Sequence, residues 1–366
     1  MKILPIVGFL FLALAILLGV HLFVFNFLVK TYGLSGRTKQ ILSLLFLFLS
    51  ISFLIGSFLV KISENYFAKG FYYFAGVWLV MVFYLFLACL VVWLVDRAIK
   101  IDFDLVRIVV NFLTIIICLL IGNGIWNASR IKVKEIEIPI KNLPENWQNK
   151  KIVQISDVHL GTIFGAGFIN QIIAQVNGLG PEAVFITGDY FDGMDGNSTA
   201  LAMPLNKIIA PKGVYFITGN HETYLGVESV VKAFKQTKVK VLDDERVDLG
   251  GISLIGINYP AEFEKKELPD IIKKINPPRP AILLYHAPVQ IENITGIDLM
   301  LAGHTHNGQI FPFNLIVKSV FGKFSNGLNR INDFFIFTSV GVGTWGPPLR
   351  IGNSPEIVAI KLVREN

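Results

Sequence analysis

Charged residues are scarce in this chain. They make up 16% of 366 residues, against 53% apolar, a balance too lopsided for a wholly water-soluble protein. Cysteine is scarcer still, with only Cys89 and Cys118. Two cysteines exclude a disulfide framework and a thiolate zinc knuckle, and both lie in apolar stretches where they read as small packing residues. No internal repeat and no low-complexity tail is visible, so a repeat array is not expected. The net charge of +6 is also uneven: nine Lys and Arg face four Asp and Glu in residues 1–126, and 24 face 23 in residues 127–366. The basic excess therefore flanks the apolar region, and no nucleic-acid partner is implied.

Charge is absent altogether from four runs, residues 3–29, 41–60, 71–95 and 108–129. Each can supply the about 20 helical residues that a hydrocarbon core requires. The first is longer than the roughly 7–15-residue apolar core of a cleaved signal, so it reads as a permanent span. The sequence thus predicts a membrane region over 1–129 with four transmembrane helices, a connector strand and turn over 130–150, and an α/β domain over 151–366. His21, Asn111 and Asn123 lie inside the spans with no ionisable partner, which favours helix–helix hydrogen bonding over a transport path.

After Trp126 short apolar strands begin to alternate with helices. Strands are predicted at 131–140, 151–156, 183–187, 214–218, 239–242, 252–257, 281–285, 299–302, 334–338 and 357–362, with helices at 168–176 and 228–236. Alternation first and strands later suit two packed sheets flanked by helices. The polar chemistry falls where strands end, as it does in open α/β sheets. Asp157 and His159 follow the first core strand; Gly188, Asp189 and Asp192 follow the next. Gly219, Asn220, His221 and Glu222 come after the third. His286 and then Gly303, His304 and His306 follow two later ones. Five of the six histidines lie in these turns. A lone histidine beside a strand is usually structural, but five with two Asp and an Asn form a donor set suited to borderline or hard divalent metals. In Asp157-x-His159 and His304-x-His306, side chains two apart on extended chain share a face. A carboxylate between two cations about 3.5–4 Å apart balances their repulsion, and Asp189 is the central candidate.

This ordered set resembles the calcineurin-like metallophosphoesterases, five blocks over about 150 residues, far beyond a lone motif. The resemblance implies a four-layer sandwich of two mixed sheets between helices, so that 151–366 would be a catalytic domain. It also implies two divalent ions, of Mn, Fe, Zn or Mg. Asp157, His159, Asp189 and His306 would hold one, and Asp189, Asn220, His286 and His304 the other. Water ionised there would attack phosphorus, with His221 beside the leaving oxygen as proton donor. Asp192 and Glu222 would orient the site, or else are solvated or capping carboxylates. The four spans before the domain, and a closing segment with Gly341-Val342-Gly343-Thr344 and Pro348-Leu349-Arg350, are similar to the family's branch of transmembrane proteins with a metallophosphoesterase domain. One departure is Asn307, where that branch usually has glycine; Asn tolerates a left-handed backbone, so the metals should be unaffected.

Some relatives in the branch act on UDP-diacylglucosamine, others on lipid-linked or small phosphodiesters, which implies a phosphodiester or pyrophosphate substrate of a lipid or lipid-linked kind. Residues 311–324 (FPFNLIVKSVFGKF) are either a strand or helix packed on the core, or an exposed apolar loop that takes an acyl chain or dips into a bilayer. Arg350 either clamps a substrate phosphate through its forked donors or pairs with a surface carboxylate. A catalytically silent metal-binding module is the alternative of another class.

Orientation follows from the short loops. Lys30, Arg37, Lys39, Arg97, Lys100 and Arg107 lie in the first and third, against Lys2, Lys61 and Lys69 at the N-terminus and in the second. The positive-inside rule puts the first and third loops in the cytoplasm, and so places the domain on the exoplasmic face of the cell membrane. Arg130, Lys132, Lys134 and Lys141 oppose this, but large domains translocate largely regardless of charge. A cysteine introduced at an exposed position of 127–150, in a chain freed of Cys89 and Cys118, should react with an impermeant maleimide on intact cells. Labelling only after lysis would put the domain inside.

Overall fold

The computed structural model describes residues 3–63, 65–194, 198–261 and 264–365; Lys2, counted in the charge balance, lies outside them. The chain divides into two compact units, Met1–Trp126 with Gly346–Leu349, and Asn127–Trp345 with Arg350–Asn366.

Four long helices form most of the first unit: α1 (Ile3–Tyr32), α2 (Gly36–Ile62), α3 (Tyr66–Ile99) and α4 (Phe103–Ala128). Each is long and apolar enough to cross a membrane. The first three outrun the charge-free runs at their C-terminal ends, where cations suit a helix; Lys30, Lys61 and Arg97 occupy last turns. The Asn65 side chain accepts a hydrogen bond from Ala68 N and starts α3. The intramembrane polar residues largely bond to other helices, as expected. Trp78 Nε1 donates to His21 Nε2 at 2.9 Å, and the His21 Nδ1 lies 2.8 Å from Leu17 O. Tyr32 donates to Asn111 Oδ1 at 2.6 Å. Asn123 is exposed.

Twelve strands and six shorter helices build the described part of the second unit. The strands are β1 (Lys132–Ile140), β2 (Lys151–Ile155), β3 (Ala183–Thr187), β4 (Val214–Ile217), β5 (Val239–Val241), β6 (Glu245–Asp248), β7 (Ser253–Gly256), β8 (Ala281–Leu284), β9 (Leu299–Ala302), β10 (Gly327–Ile331), β11 (Phe334–Thr338) and β12 (Glu356–Arg364). The helices are α5 (Ala166–Gly178), α6 (Ser198–Ala202), α7 (Asn220–Leu225), α8 (Val227–Phe234), α9 (Leu268–Ile275) and α10 (Phe313–Phe321). One mixed sheet runs β1-β12-β2-β3-β4-β5, the other β10-β11-β9-β8-β7-β6.

Side-chain alternation along each strand makes the layers. Ile152, Phe185 and Ile217 of the first sheet meet Leu254, Leu284, Leu301 and Phe337 of the second in a dry core between them. On the outer face of the first sheet, Val153, Ile155 and Ile186 pack under α5 and α8. The buried stripe Ile169, Ile172, Ile173 and Val176 has the spacing that turns one helical face to a sheet. Leu268 and Ile272 of α9 cover the outer face of the second sheet. The result is the four-layer arrangement expected, with β2, β3, β4, β8 and β9 all ending near one edge.

Three readings change. Residues 130–150 are more than a connector: β1 pairs in parallel with β12 from Lys132↔Glu356 to Ile140↔Arg364 and closes the first sheet. The short, half-exposed β6 and β10 carry little pattern of their own; antiparallel pairing with β7 and β11 makes them strands. Residues 311–324 form α10 and a following turn rather than a loop, yet α10 buries none of its residues, so it is not packed into the core either.

Candidate metal centre

The candidate side chains follow the ends of buried strands, and at five of them the backbone is bent into the left-handed region. Asp157 (φ 52), His159 (φ 50), Asp189 (φ 49), His304 (φ 73) and His306 (φ 46) all have positive φ. Non-glycine residues adopt it at a cost of order 1–3 kcal/mol each, and such clusters mark functional sites. Asn307, the departure from the family pattern, is left-handed as well, at φ 46 and ψ 40. Two glycines make the close approach possible. A Cβ on Gly219 would collide with the Asp189 carboxylate, and one on Gly303 with Ser156 and Asp157.

All seven predicted ligands converge. Asp157, His159 and His306 present ligand atoms within 4.8 Å of one another, as do Asp189, His286 and His304. The two groups are linked, since His159 and Asp189 also share such a cluster with His221. His306 Nε2 is 3.4 Å from Asp157 Oδ1 and 3.0 Å from His159 Nε2. His286 Nε2 is 3.1 Å from Asp189 Oδ2. Asn220 Oδ1 lies 2.9 Å from His304 Nδ1 and 3.2 Å from His286 Nε2. His221 N donates to Asp189 Oδ1 at 2.9 Å, which fixes that carboxylate from its other side.

Electrostatics prepare the cluster for cations. Burial pushes the Asp157 carboxyl up to about 6, against the pull of His286. Burial would raise Asp189 too, but the charge and hydrogen bond of His286, with His159 and His221 beyond it, hold it well below the carboxylate range. Burial favours a neutral His286, yet Asp189 and then Asp157 draw it up to about 10. Burial and then His286 push His304 down to about 4. His159 and His306 fall well below the ordinary value, again first by burial, then by His221 and by His159 respectively. Three imidazoles are thus neutral lone-pair donors around buried carboxylate charge. The two carboxylates pull His286 toward its charged form, the same pull that a metal ion would answer.

Divalent metal ions fit these residues. The donors are imidazole, carboxylate and amide oxygen, the set that Zn, Mn, Fe or Mg take. Two ring nitrogens, on His159 and His306, face each other at hydrogen-bond distance, and the His159 Nδ1 is buried with no hydrogen-bond partner.

Around the ligands, Glu222 does more than cap a helix. Its carboxylate accepts from the backbone N–H of Asp189, Tyr190, Phe191 and Gly219 at 2.7–3.1 Å. Burial and then Asp189 push it up to about 7, and those donors work against that rise. Asp192 contributes its backbone carbonyl, 2.7 Å from His221 Nδ1. Arg350 is not a phosphate clamp. It is fully buried, and donates to the carbonyls of Val340, Gly341 and Gly343 and to Asn353 Oδ1, with Nη2 3.2 Å from His306 Nδ1. Burial pushes its guanidinium down to about 10. Nor does it pair with a surface carboxylate; five donors in a fixed fork instead hold the closing segment against the ligand turn.

Two residues that the sequence did not single out flank His221. The Tyr224 ring is 5.3 Å away and the Trp345 ring 6.2 Å, and both side chains are exposed. Gln309 braces Trp345, accepting from its N–H at 2.8 Å and donating to its carbonyl at 3.1 Å. A tryptophan between Thr344 and Gly346 in the closing segment was the available signal, since an aromatic on a tight turn is rarely core.

Residues 150–308 match the family described as calcineurin-like phosphoesterase. An uncharacterized metallophosphoesterase of Helicobacter pylori is 35% identical over 269 residues, 70% of this chain and 72% of that protein. The transmembrane protein with metallophosphoesterase domain of Danio rerio is 33% identical over 272 residues, 68% of this chain and 61% of that protein. A solved dimetal phosphatase from Danio rerio aligns over 53% of this chain and 88% of its own, at 12% identity and a TM-score of 0.33.

Glu222→Ala would strand four buried backbone donors, each at a cost of about 1–3 kcal/mol. It should lower the melting temperature and weaken divalent-metal affinity together, read by calorimetry of the detergent-solubilised chain and by metal analysis. Unchanged metal affinity would show that the brace does not position Asp189.

Proposed function

The chain belongs to the calcineurin-like phosphoesterases, and we propose that it is a membrane-anchored, two-metal hydrolase of a phosphodiester or pyrophosphate carried by a lipid or lipid-linked nucleotide. The observation that carries this reading is the position of Asp189. Its carboxylate has ligand-distance neighbours in the His159 and His221 cluster and in the His286 and His304 cluster. In this reading Asp157, His159, Asp189 and His306 hold one ion, and Asp189, Asn220, His286 and His304 the other. Ions bound there would polarise phosphoryl oxygens and ease the ionisation of water.

The chain's own residues supply the rest. His221 Nδ1 donates to the Asp192 carbonyl, leaving Nε2 as the ring atom that gives a proton to the departing oxygen. Arg350 and Asn353 keep His306 in place; Asn353 Nδ2 donates to the His306 carbonyl at 2.9 Å. The exposed rings of Tyr224 and Trp345 stand beside His221 and offer flat apolar surface to a substrate group at that end of the site. Support for a lipidic substrate comes from the four membrane-length helices of the same chain. The domain is read as lying on the exoplasmic face of the cell membrane. A silent metal-binding module is the competing reading, and turnover separates the two.

The full chain in detergent with Mn²⁺ should hydrolyse bis(p-nitrophenyl) phosphate and lose that activity to a chelator. His221→Ala should keep its metals while the maximal rate falls by about 10²–10⁴-fold for an alkoxide leaving group. Nitrophenolate departs without a proton, so its loss should be smaller. Equal losses would remove His221 as the acid.

A further inference from the structure

Helix α10 carries its apolar residues on the wrong side for a soluble domain. A surface helix normally turns its apolar stripe inward. Here Phe313, Leu315, Ile316 and Val320 are 40–69% exposed, and Phe311 just before the helix is 51% exposed. The side nearer the protein holds Asn314, Val317 and Phe321, which are only partly covered. The helix is also anchored beside the metal ligands. Phe321 meets the His304 ring edge-on at 6.1 Å, and a Cβ on Gly308, in the His306 turn, would collide with the backbone of Phe313 and Asn314.

The chain through this face carries charge of one sign, although Arg330 at its far end pairs with Glu365 at 3.5 Å. Residues 299–332 contain Lys318, Lys323 and Arg330 and no Asp or Glu. An apolar face flanked by cations complements an anionic lipid surface, with the apolar side chains among the acyl chains and the lysines at the headgroups. The same chain holds four helices of membrane-crossing length, so a bilayer is within its reach. We infer that α10 lies in the bilayer surface and holds the mouth of the metal centre against it, so that a phosphate at headgroup depth reaches His304 without its lipid leaving the membrane. This rests on the reading of the four helices as membrane spans, and not on turnover.

The test uses the full chain in nanodiscs of phosphatidylethanolamine and phosphatidylglycerol. In a chain carrying Cys89→Ala and Cys118→Ala, an environment-sensitive fluorophore on Ile316→Cys or Val320→Cys should emit to the blue and be quenched by lipids with a spin label near the top of the acyl chain. The same fluorophore on Lys240→Cys, at the edge strand β5, should respond to aqueous iodide instead. Iodide quenching at 316 and 320 equal to that at 240 would overturn the inference. Blue emission without lipid quenching would overturn it too, because a second copy or another protein would then cover the face. In the unsubstituted chain, phosphatidylglycerol bearing an acyl-chain diazirine should crosslink to the peptide containing α10. Crosslinks confined to α1–α4 would contradict the inference whatever the substituted chains do.

Discussion

The second unit depends on one electrostatic constraint: Asp189 and Asp157 are buried together and must be matched by positive charge. Two carboxylates in a dry interior repel each other and have lost their water, so without compensation at least one would protonate. The site compensates in layers. Backbone donors on His221 and His304 fix the carboxylates, neutral imidazoles surround them, and the carboxylates draw His286 toward its charged form. Metal ions would bring that positive charge, and the neutral imidazoles at the other strand ends are lone-pair donors suited to hold them.

Bringing these groups together strains the backbone, and the strain accounts for much of the surrounding sequence. Left-handed turns at five ligand residues cost energy that the sheets on either side repay by fixing every strand end. Glycine stands wherever one turn must touch another, as Gly219 touches the Asp189 carboxylate and Gly303 touches Asp157. Gln154, buried between the sheets, donates to Thr187 Oγ1 at 2.9 Å and to Ala302 O at 2.8 Å, tying β2 to β3 and to the end of β9. Glu222 and Arg350 complete the frame from opposite sides: one gathers N–H groups behind Asp189, the other gathers carbonyls behind His306. Two buried ionic side chains thus serve as hydrogen-bond hubs rather than as partners of substrate.

What the sequence made legible was whatever carries a local pattern. The four helices showed as runs without charge, because a hydrocarbon solvent admits little else. The ligands showed because each follows a short apolar strand and because spacing of two along the chain puts a pair on one face. Arg350 was misjudged because its neighbours in space, His306 and the carbonyls of residues 340–343, come together only after β11 and β12 have paired with their neighbours. Strands β6 and β10 were missed because their partners, not their own residues, make them strands. In residues 311–324 composition gave the apolar character, and only the packing of Gly308 against the start of α10 decided that the apolar side chains face outward.

The central claim is that Asp189 is shared by two metal ions, and electron paramagnetic resonance of the Mn²⁺-loaded full chain tests it directly. Two Mn²⁺ ions joined through one carboxylate are exchange-coupled, so the wild-type chain should give a coupled spectrum at saturating metal, and Asp189→Asn should abolish it. A wild-type chain that shows only uncoupled, isolated Mn²⁺ when saturated would contradict the account.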